Sequence, residues 1–189
     1  MLIWSFPVES KSLFLTFDDG PTVNITSWVL DRLDEFDAKA TFFCLGKNVE
    51  QNPDLYKMII DRGHATGNHS YSHIKGWGTS VSSYVQDFDL ASGFIDSNLV
   101  RPPYGRITPK QAKILNERYR LIMWDILSRD YSMTVSRRGC VKNVVNNLRP
   151  GAIVVFHDSL KAARNMKYAL PKVLEFAINQ GYKFNKIEL

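Results

Sequence analysis

Two adjacent carboxylates, Asp18 and Asp19, stand between the apolar run Leu13-Phe14-Leu15-Thr16-Phe17 and the turn Gly20-Pro21. The run is rich in strand-forming side chains and Gly-Pro ends it, so both acids are expected at the carboxyl end of a strand, where α/β enzymes hold their chemistry. An Asp-rich turn whose side chain caps the next helix is the other reading of the same residues. Further along, "GNHSYSH" places His69 and His73 four residues apart. On a helical turn that spacing brings both imidazoles to one face, which is how many zinc sites take two of their ligands. Two histidines and one carboxylate leave coordination positions open for water and substrate, as catalytic metals require. A surface or capping histidine pair is the plain alternative.

Three further segments carry groups of the same kind. In "RPPYG", Arg101 to Gly105, two prolines hold the backbone extended, so the next free amide, that of Tyr104, is aimed in a set direction. A rigid loop with an exposed N–H can donate to an oxyanion. An ordinary proline-rich turn with Arg101 in solvent is the alternative. "MWDILSRDY" adds Asp125 and Asp130, and "IVVFHDS" adds His157 and Asp158, both at expected strand ends. For His157 the competing reading is a core histidine satisfied by a backbone carbonyl.

Repeated strand and helix signals must position these groups. Ile25, Trp28, Val29, Leu33 and Phe36 recur at helical spacing after Pro21, with charged residues on the other faces. "KATFFCLG" reads as a short buried strand, "NPDLYKMIIDRG" as a helix opened near Pro53 and closed by Gly63, and "HATGN" as a short strand or its exit loop. Then follow a helix over Ser80 to Asn98, a strand over Leu99 to Arg101, a helix over Pro109 to Arg118 and a strand "RLIMWD". The tail repeats the pattern: a helix over Arg137 to Leu148, a strand "AIVVFH", a helix over Lys167 to Gln180 and a strand "YKFNKI". Alternating βα units with buried apolar strands imply an α/β fold with a parallel sheet, open or closed into a barrel. About seven units fit this length, and a complete eight-fold barrel takes roughly 250 residues, so a distorted or incomplete (β/α) barrel is expected.

The chain has 189 residues, 44% hydrophobic and 23% charged, enough for one sizeable core, and a single domain over residues 1–189 is expected. A formal charge of +5 would suit an anionic polymer, but Lys and Arg are scattered along the sequence, which argues against nucleic acid as a partner. Cys44 and Cys140 lack paired-motif spacing and read as buried thiols. "MLIWSFPVESK" has no basic n-region and no apolar h-region, and no later segment approaches the ~20 apolar residues of a membrane helix. As written, the sequence reads as a soluble cytoplasmic monomer.

Together, "TFDDGP", "HSYSH", "RPPYG", "WDILSRDY" and "VVFHD" resemble, in order and spacing, the motif set of the polysaccharide deacetylases. This NodB-homology family is also called carbohydrate esterase family four, and the resemblance runs from about Leu13 to the carboxyl terminus. It implies a distorted (β/α) barrel that hydrolyses N-acetyl or O-acetyl groups on sugars with a divalent metal, usually zinc, with cobalt or manganese as alternatives. It further implies Asp18 as catalytic base, Asp19, His69 and His73 as metal ligands, and Arg101 as the residue that orients the base. The Tyr104 amide corresponds to the oxyanion donor, His157 to the general acid and Asp130 to the acid that tunes it. Pro103, Tyr104 and Tyr131 are expected against the substrate.

The resemblance points to removal of N-acetyl groups from N-acetylglucosamine in a peptidoglycan- or chitin-like polysaccharide or oligosaccharide. Deacetylation or deformylation of a small or lipid-linked amino sugar, or acetylxylan esterase activity, keeps the chemistry and changes the substrate. A carbohydrate-binding relative with its chemistry lost is a third reading, which the retained base, ligands, arginine and general acid oppose. The family resemblance also leaves open an exported or cell-envelope location. Two departures stand out. Leu127-Ser128-Arg129-Asp130-Tyr131 occupies the place of the family's Asp-Ser-x-Asp-Trp, so the first acid is absent and the groove-lining Trp is replaced by Tyr. "HATGNH" lacks the acid that many members carry after its first histidine.

Overall fold

The computed structural model describes residues 1–189. Its strands are β1 (Leu2–Ile3), β2 (Ser12–Asp18), β3 (Ala40–Cys44), β4 (Ala65–Asn68), β5 (Leu99–Val100), β6 (Arg120–Ile122), β7 (Ile126–Leu127), β8 (Ile153–His157) and β9 (Lys183–Phe184). Between them run α1 (Thr26–Glu35), α2 (Gly46–Gln51), α3 (Pro53–Asp61), α4 (Val81–Ser92), α5 (Pro109–Leu115), α6 (Arg137–Val145) and α7 (Ala163–Asn179). The strand order is β1-β6-β5-β4-β3-β2-β8-β7, with β9 added to β2, and every ladder is parallel. A parallel sheet covered by helices is what strands with near-continuous apolar runs require.

β6 and β7 sit near opposite ends of this order, yet only Met123, Trp124 and Asp125 separate them in the chain. The sheet must therefore curl until its ends meet. Isolated contacts stitch the seam: Ser5, just after β1, bridges Ala152, just before β8, and Phe6 N–H donates to the Gly151 carbonyl at 2.9 Å. Met123 N–H donates to the Ile3 carbonyl at 2.6 Å and Asp125 N–H to the Ile153 carbonyl at 3.0 Å, which holds the crossing segment to β1 on one side and β8 on the other. This is the distorted barrel anticipated from the sequence.

Side-chain parity along the strands decides what faces inward. In β2, Leu13, Leu15 and Phe17 join a 29-residue core cluster with α1 and α7, while Thr16 and Asp18 point into the barrel beside Arg101. In β8, Val154 and Phe156 face that core and His157 faces the interior. Each fully buried Leu or Phe contributes about 1.5–3 kcal/mol, so the parity of these strands is strongly fixed. Asp18 and His157 are register partners on adjacent strands, so one packing pattern delivers both to the same mouth.

Several element boundaries differ from expectation for local reasons. The strand expected over Arg120 to Asp125 stops at Ile122, because the next residues cross the seam. The helix expected to reach Asn98 ends at Ser92, with Gly93 as its C-cap. α7 begins at Ala163 rather than Lys167 and continues through Pro171, and the last strand is reduced to Lys183–Phe184. β1, α2 and β7 are too short to show a periodicity and were not anticipated. Cys44 and Cys140 are free and buried, as expected, and no helix is long and apolar enough to cross a membrane.

Candidate active site

The strand ends open onto a cavity of about 450 Å3 lined by Asp18, Asp19, His69, His73, Tyr104, Tyr131 and His157, with Arg106, Trp124, Leu127, Val155 and Lys161. Asp19 leaves β2 with φ 80°, which turns its carboxylate away from the barrel axis followed by Asp18. Ligand atoms of Asp19, His69 and His73 all lie within 4.8 Å of one another. Asp19 Oδ1 is 3.2 Å from His73 Nε2 and 3.8 Å from His69 Nε2.

The two histidines do not share a helical face. They lie on the loop after β4, and the left-handed residues Ser70 (φ 66°) and His73 (φ 64°) bend the chain until the rings are 5.1 Å apart. The loop is braced: Asn68 Oδ1 accepts from Ser70 N–H at 2.8 Å, and Asp87 Oδ2 accepts from Tyr71 and Ser72 N–H at 2.9 Å each. Non-glycine residues with positive φ cost on the order of 1 kcal/mol each and cluster where function requires them. Five of the seven in this chain, Asp19, Ser70, His73, Tyr104 and Arg129, are at or beside this cavity.

The donor chemistry suits a divalent cation. His69 Nδ1 lies 2.8 Å from the Arg101 carbonyl, which can only accept, so Nδ1 carries the proton and Nε2 presents a lone pair. Burial lowers the His69 pKa to about 4, keeping the ring neutral near pH 7. Burial alone would raise the Asp19 carboxyl, but the nearby histidines outweigh it and hold the group well below the usual carboxylate range. Asp19 Oδ1 is nevertheless buried without a hydrogen-bond partner, because its 3.2 Å approach to His73 lacks hydrogen-bond geometry. An ionised oxygen facing two imidazole nitrogens at such distances has the character of a metal ligand.

Behind this triad, Arg101 is fully buried. Its Nη1 donates to Asp18 Oδ1 and to Thr16 Oγ1, each at 2.7 Å, while Nε and Nη2 donate to the Ile122 and Met123 carbonyls at 3.2 and 2.9 Å. The guanidinium also stacks on Phe43 at 4.0 Å. Asp18 is thus held through one oxygen, and its Oδ2 sits 4.0 Å from His69 Nε2.

Across the cavity, Asp130 Oδ1 meets His157 Nδ1 at 2.7 Å and Asp130 Oδ2 accepts from His157 N–H at 2.8 Å. Burial opposes a charge on His157, but the Asp130 bond and charge, with Asp18 and Asp19 nearby, push its pKa up to about 9. The other acids flanking these strand ends are committed elsewhere. Asp125 pairs with Arg149 at 2.6 Å, and Asp158 is buried behind Gly20, accepting from Thr26 Oγ1 at 2.5 Å.

A family model described as polysaccharide deacetylase matches residues 6–119. The chain is 33% identical over 189 residues to a peptidoglycan-N-acetylglucosamine deacetylase of Bacillus cereus, covering 96% of this chain and 88% of that protein. The chain belongs to the polysaccharide deacetylase family. Among solved structures, the Bc1960 peptidoglycan N-acetylglucosamine deacetylase superposes with a TM-score of 0.91 at 29% identity, over 98% of this chain and 90% of that one. A carbohydrate esterase family 4 pseudoenzyme from Bacillus anthracis gives 0.87 at 25% identity, over 99% and 67%. Some relatives are longer, and this chain spans 59% and 38% of two of them. Because the family's fold includes pseudoenzymes, activity must be argued from the site.

The sequence places Pro103 against substrate, but Pro103 is buried and does not line the cavity. Its part is to build the turn that carries Tyr104. After the extended Pro102, residues Pro103–Gly105 form a 3-10 turn in which Tyr104 is left-handed (φ 60°, ψ 6°) and its ring packs 4.5 Å from His73. The Tyr104 N–H has no acceptor within the chain. Gly105 is required because a Cβ there would lie 2.6 Å from the Trp124 ring. Trp124, Arg106 and Lys161 line the cavity without having been singled out in the sequence. The aromatic-acid pair Trp124-Asp125 at a strand end was the available signal for the first, and nothing local marks the other two.

Tyr131 stands edge-on to His157, ring centroids 4.9 Å apart, with Lys161 5.7 Å from its centre. A phenol presents less apolar area to a sugar than an indole does. Tyr131→Trp should lower KM for oligosaccharides about threefold to tenfold through added stacking. Steady-state kinetics across acetylated substrates checks this, and an unchanged ranking in both Tyr131→Phe and Tyr131→Trp would mean the ring only fills space.

Proposed function

We propose that this chain is a metal-dependent hydrolase that removes N-acetyl groups from N-acetylglucosamine in a peptidoglycan- or chitin-like polysaccharide. The observation that carries the reading is the meeting of three sets of groups at one cavity: the Asp19, His69 and His73 triad, the Arg101-held Asp18, and the Asp130–His157 pair. A polymer fits better than a small sugar, since the cavity shares Asp19, His73 and Lys161 with an open cleft of about 720 Å3.

Asp19, His69 and His73 would hold the cation, with zinc the best match to one carboxylate and two imidazoles. Bound there, it supplies Lewis acidity toward a carbonyl oxygen and toward water, whose pKa such a metal brings near ~7. Asp18 accepts the proton of the attacking water through Oδ2, while Arg101 fixes Oδ1 and offsets the buried charge. The water oxygen adds to the amide carbon, and the Tyr104 N–H donates to the carbonyl oxygen as it becomes anionic. His157 then gives its proton to the nitrogen, the C–N bond breaks, and acetate and a free amine result.

The leaving amine makes the state of His157 decisive, because an ordinary imidazole near ~6.5 is mostly neutral at pH 7. The raised value near 9 keeps the proton in place, although a cation on the triad will lower it somewhat. In Asp130→Asn the largest raising influence is lost and only the more distant charges of Asp18 and Asp19 remain, so the general acid loses its proton at lower pH. Turnover should fall and the alkaline limb of the pH–rate profile should move toward acid, with the acid limb unmoved. Profiles at matched metal content check this, and an unshifted alkaline limb rules out the pairing as functional.

Acetate release from peptidoglycan, chitooligosaccharides and acetylxylan, each with zinc, cobalt or manganese, tests the proposal as a whole. Release from the N-acetylglucosamine polymers supports it. Release confined to acetylxylan moves the substrate, and full metal occupancy without release anywhere makes the chain a binding protein.

A further inference from the structure

Lys161 also borders a third cavity, of about 680 Å3, formed by the loop after Tyr131 and the starts of α6 and α7. Four cations line it, Arg137, Arg138, Lys161 and Arg164, and no acid does. None of the four makes a salt bridge. The imbalance is regional: from Tyr131 to Leu174 the chain has eight Lys and Arg against a single acid, the buried Asp158. Scattered in sequence, these cations are gathered by the fold.

Their placement is locally unfavourable. Arg137 and Arg138 occupy the first turn of α6, and Arg164 the first turn of α7, where each faces the positive end of a helix dipole. A local rule broken three times around one cavity, with no compensating acid in the protein, points to a counter-charge brought by a ligand. The cavity is also coupled to the catalytic one. Lys161 lines both, and Asn165 on its wall donates through Nδ2 to the carbonyls of Asp130 at 3.0 Å and Ser132 at 3.2 Å. A molecule seated in the catalytic cavity therefore reaches the basic one by continuing past Lys161.

We infer that this basic cavity binds carboxylates carried on the same glycan strand whose acetyl group enters the catalytic cavity, such as the lactyl or peptide substituents of a peptidoglycan chain. The inference rests on the deacetylase reading above. Exposed cations on flexible stems suit a spread of carboxylates better than one tightly held ion, and the attraction is screened by salt.

The test compares two zinc-loaded proteins, the intact chain and R137Q/R164Q, on two oligosaccharides of equal length. One is the neutral chitooligosaccharide, the other the alternating N-acetylglucosamine and N-acetylmuramic acid oligomer with its free carboxylates. KM for the acidic oligomer should rise about tenfold in the double variant with kcat unchanged, as expected for two lost charge contacts. KM for the neutral oligomer should stay put, R137K/R164K should restore the acidic one, and added salt should weaken only the acidic one. Equal loss with both substrates, or no loss with the acidic one, overturns the inference. If no acetate is released at all, calorimetric binding of the acidic oligomer reads the same cavity: binding weakened by R137Q/R164Q supports it and unchanged binding overturns it. Polyglycerol phosphate and single-stranded DNA serve as competitors, and displacement of the acidic oligomer by either at lower concentration than the oligomer itself overturns the assignment to glycan carboxylates.

Discussion

Asp18→Asn is expected to bind a full equivalent of zinc and to lose about 10³-fold in kcat, because the amide keeps the shape of the carboxylate but cannot take a proton from water. The geometry separates the two adjacent acids. Asp18 follows the barrel interior and is held by Arg101 at 2.7 Å, whereas Asp19, turned by its positive φ, faces the histidines. Some stability should also be lost, since Arg101 keeps a hydrogen bond there but no counter-charge, so kcat belongs to folded, metal-replete protein. Metal analysis and acetate release on the same sample check the result. Loss of zinc from Asp18→Asn, with zinc retained in Asp19→Asn, would show that the two aspartates have been assigned in the wrong order.

The largest stability effect is expected at Arg101. Its guanidinium is fully buried, donates four hydrogen bonds and neutralises a carboxylate that is itself buried. Burial lowers its pKa while Asp18 opposes the fall, and a guanidinium stays charged throughout. Arg101→Met removes one member of a buried pair and leaves Asp18 and two carbonyls without donors, which costs about 3–5 kcal/mol. For a domain of this size that is roughly 6–20 °C in Tm. Urea and thermal unfolding measure it directly. Arg101→Lys restores the charge but not the planar fork and should fall between the two, whereas a loss under about 1 kcal/mol in Arg101→Met would mean that the pair offsets little more than its own desolvation.

Most of what positions this site is written in strand ends. Asp18, Arg101 and His157 each close or follow an apolar run, and period-2 parity within a parallel sheet suffices to send such residues to one mouth. The convergence of His69 and His73 was legible as a spacing but not as a shape, since it depends on left-handed backbone at Ser70 and His73 rather than on a helix. The crossing from β6 to β7 could not be read either, because a run such as "RLIMWD" is equally apolar whether it stays in one strand or steps over the seam. Trp124 and the Arg101 acceptors on Ile122 and Met123 follow from that step. The basic cavity was hidden for a related reason: Arg137, Arg138, Lys161 and Arg164 come from two helix starts and a loop, so their nearness is a property of the fold.

The central claim is that Asp19, His69 and His73 hold a catalytic cation, and acetate release from an N-acetylglucosamine oligomer through one cycle of chelation and zinc return tests it most directly. Activity should vanish as the chelator strips the ion, return in proportion to zinc up to one equivalent per chain, and fail to return in Asp19→Ala. Full acetate release from metal-free protein, or zinc bound at one equivalent in Asp19→Ala with undiminished turnover, would contradict the account.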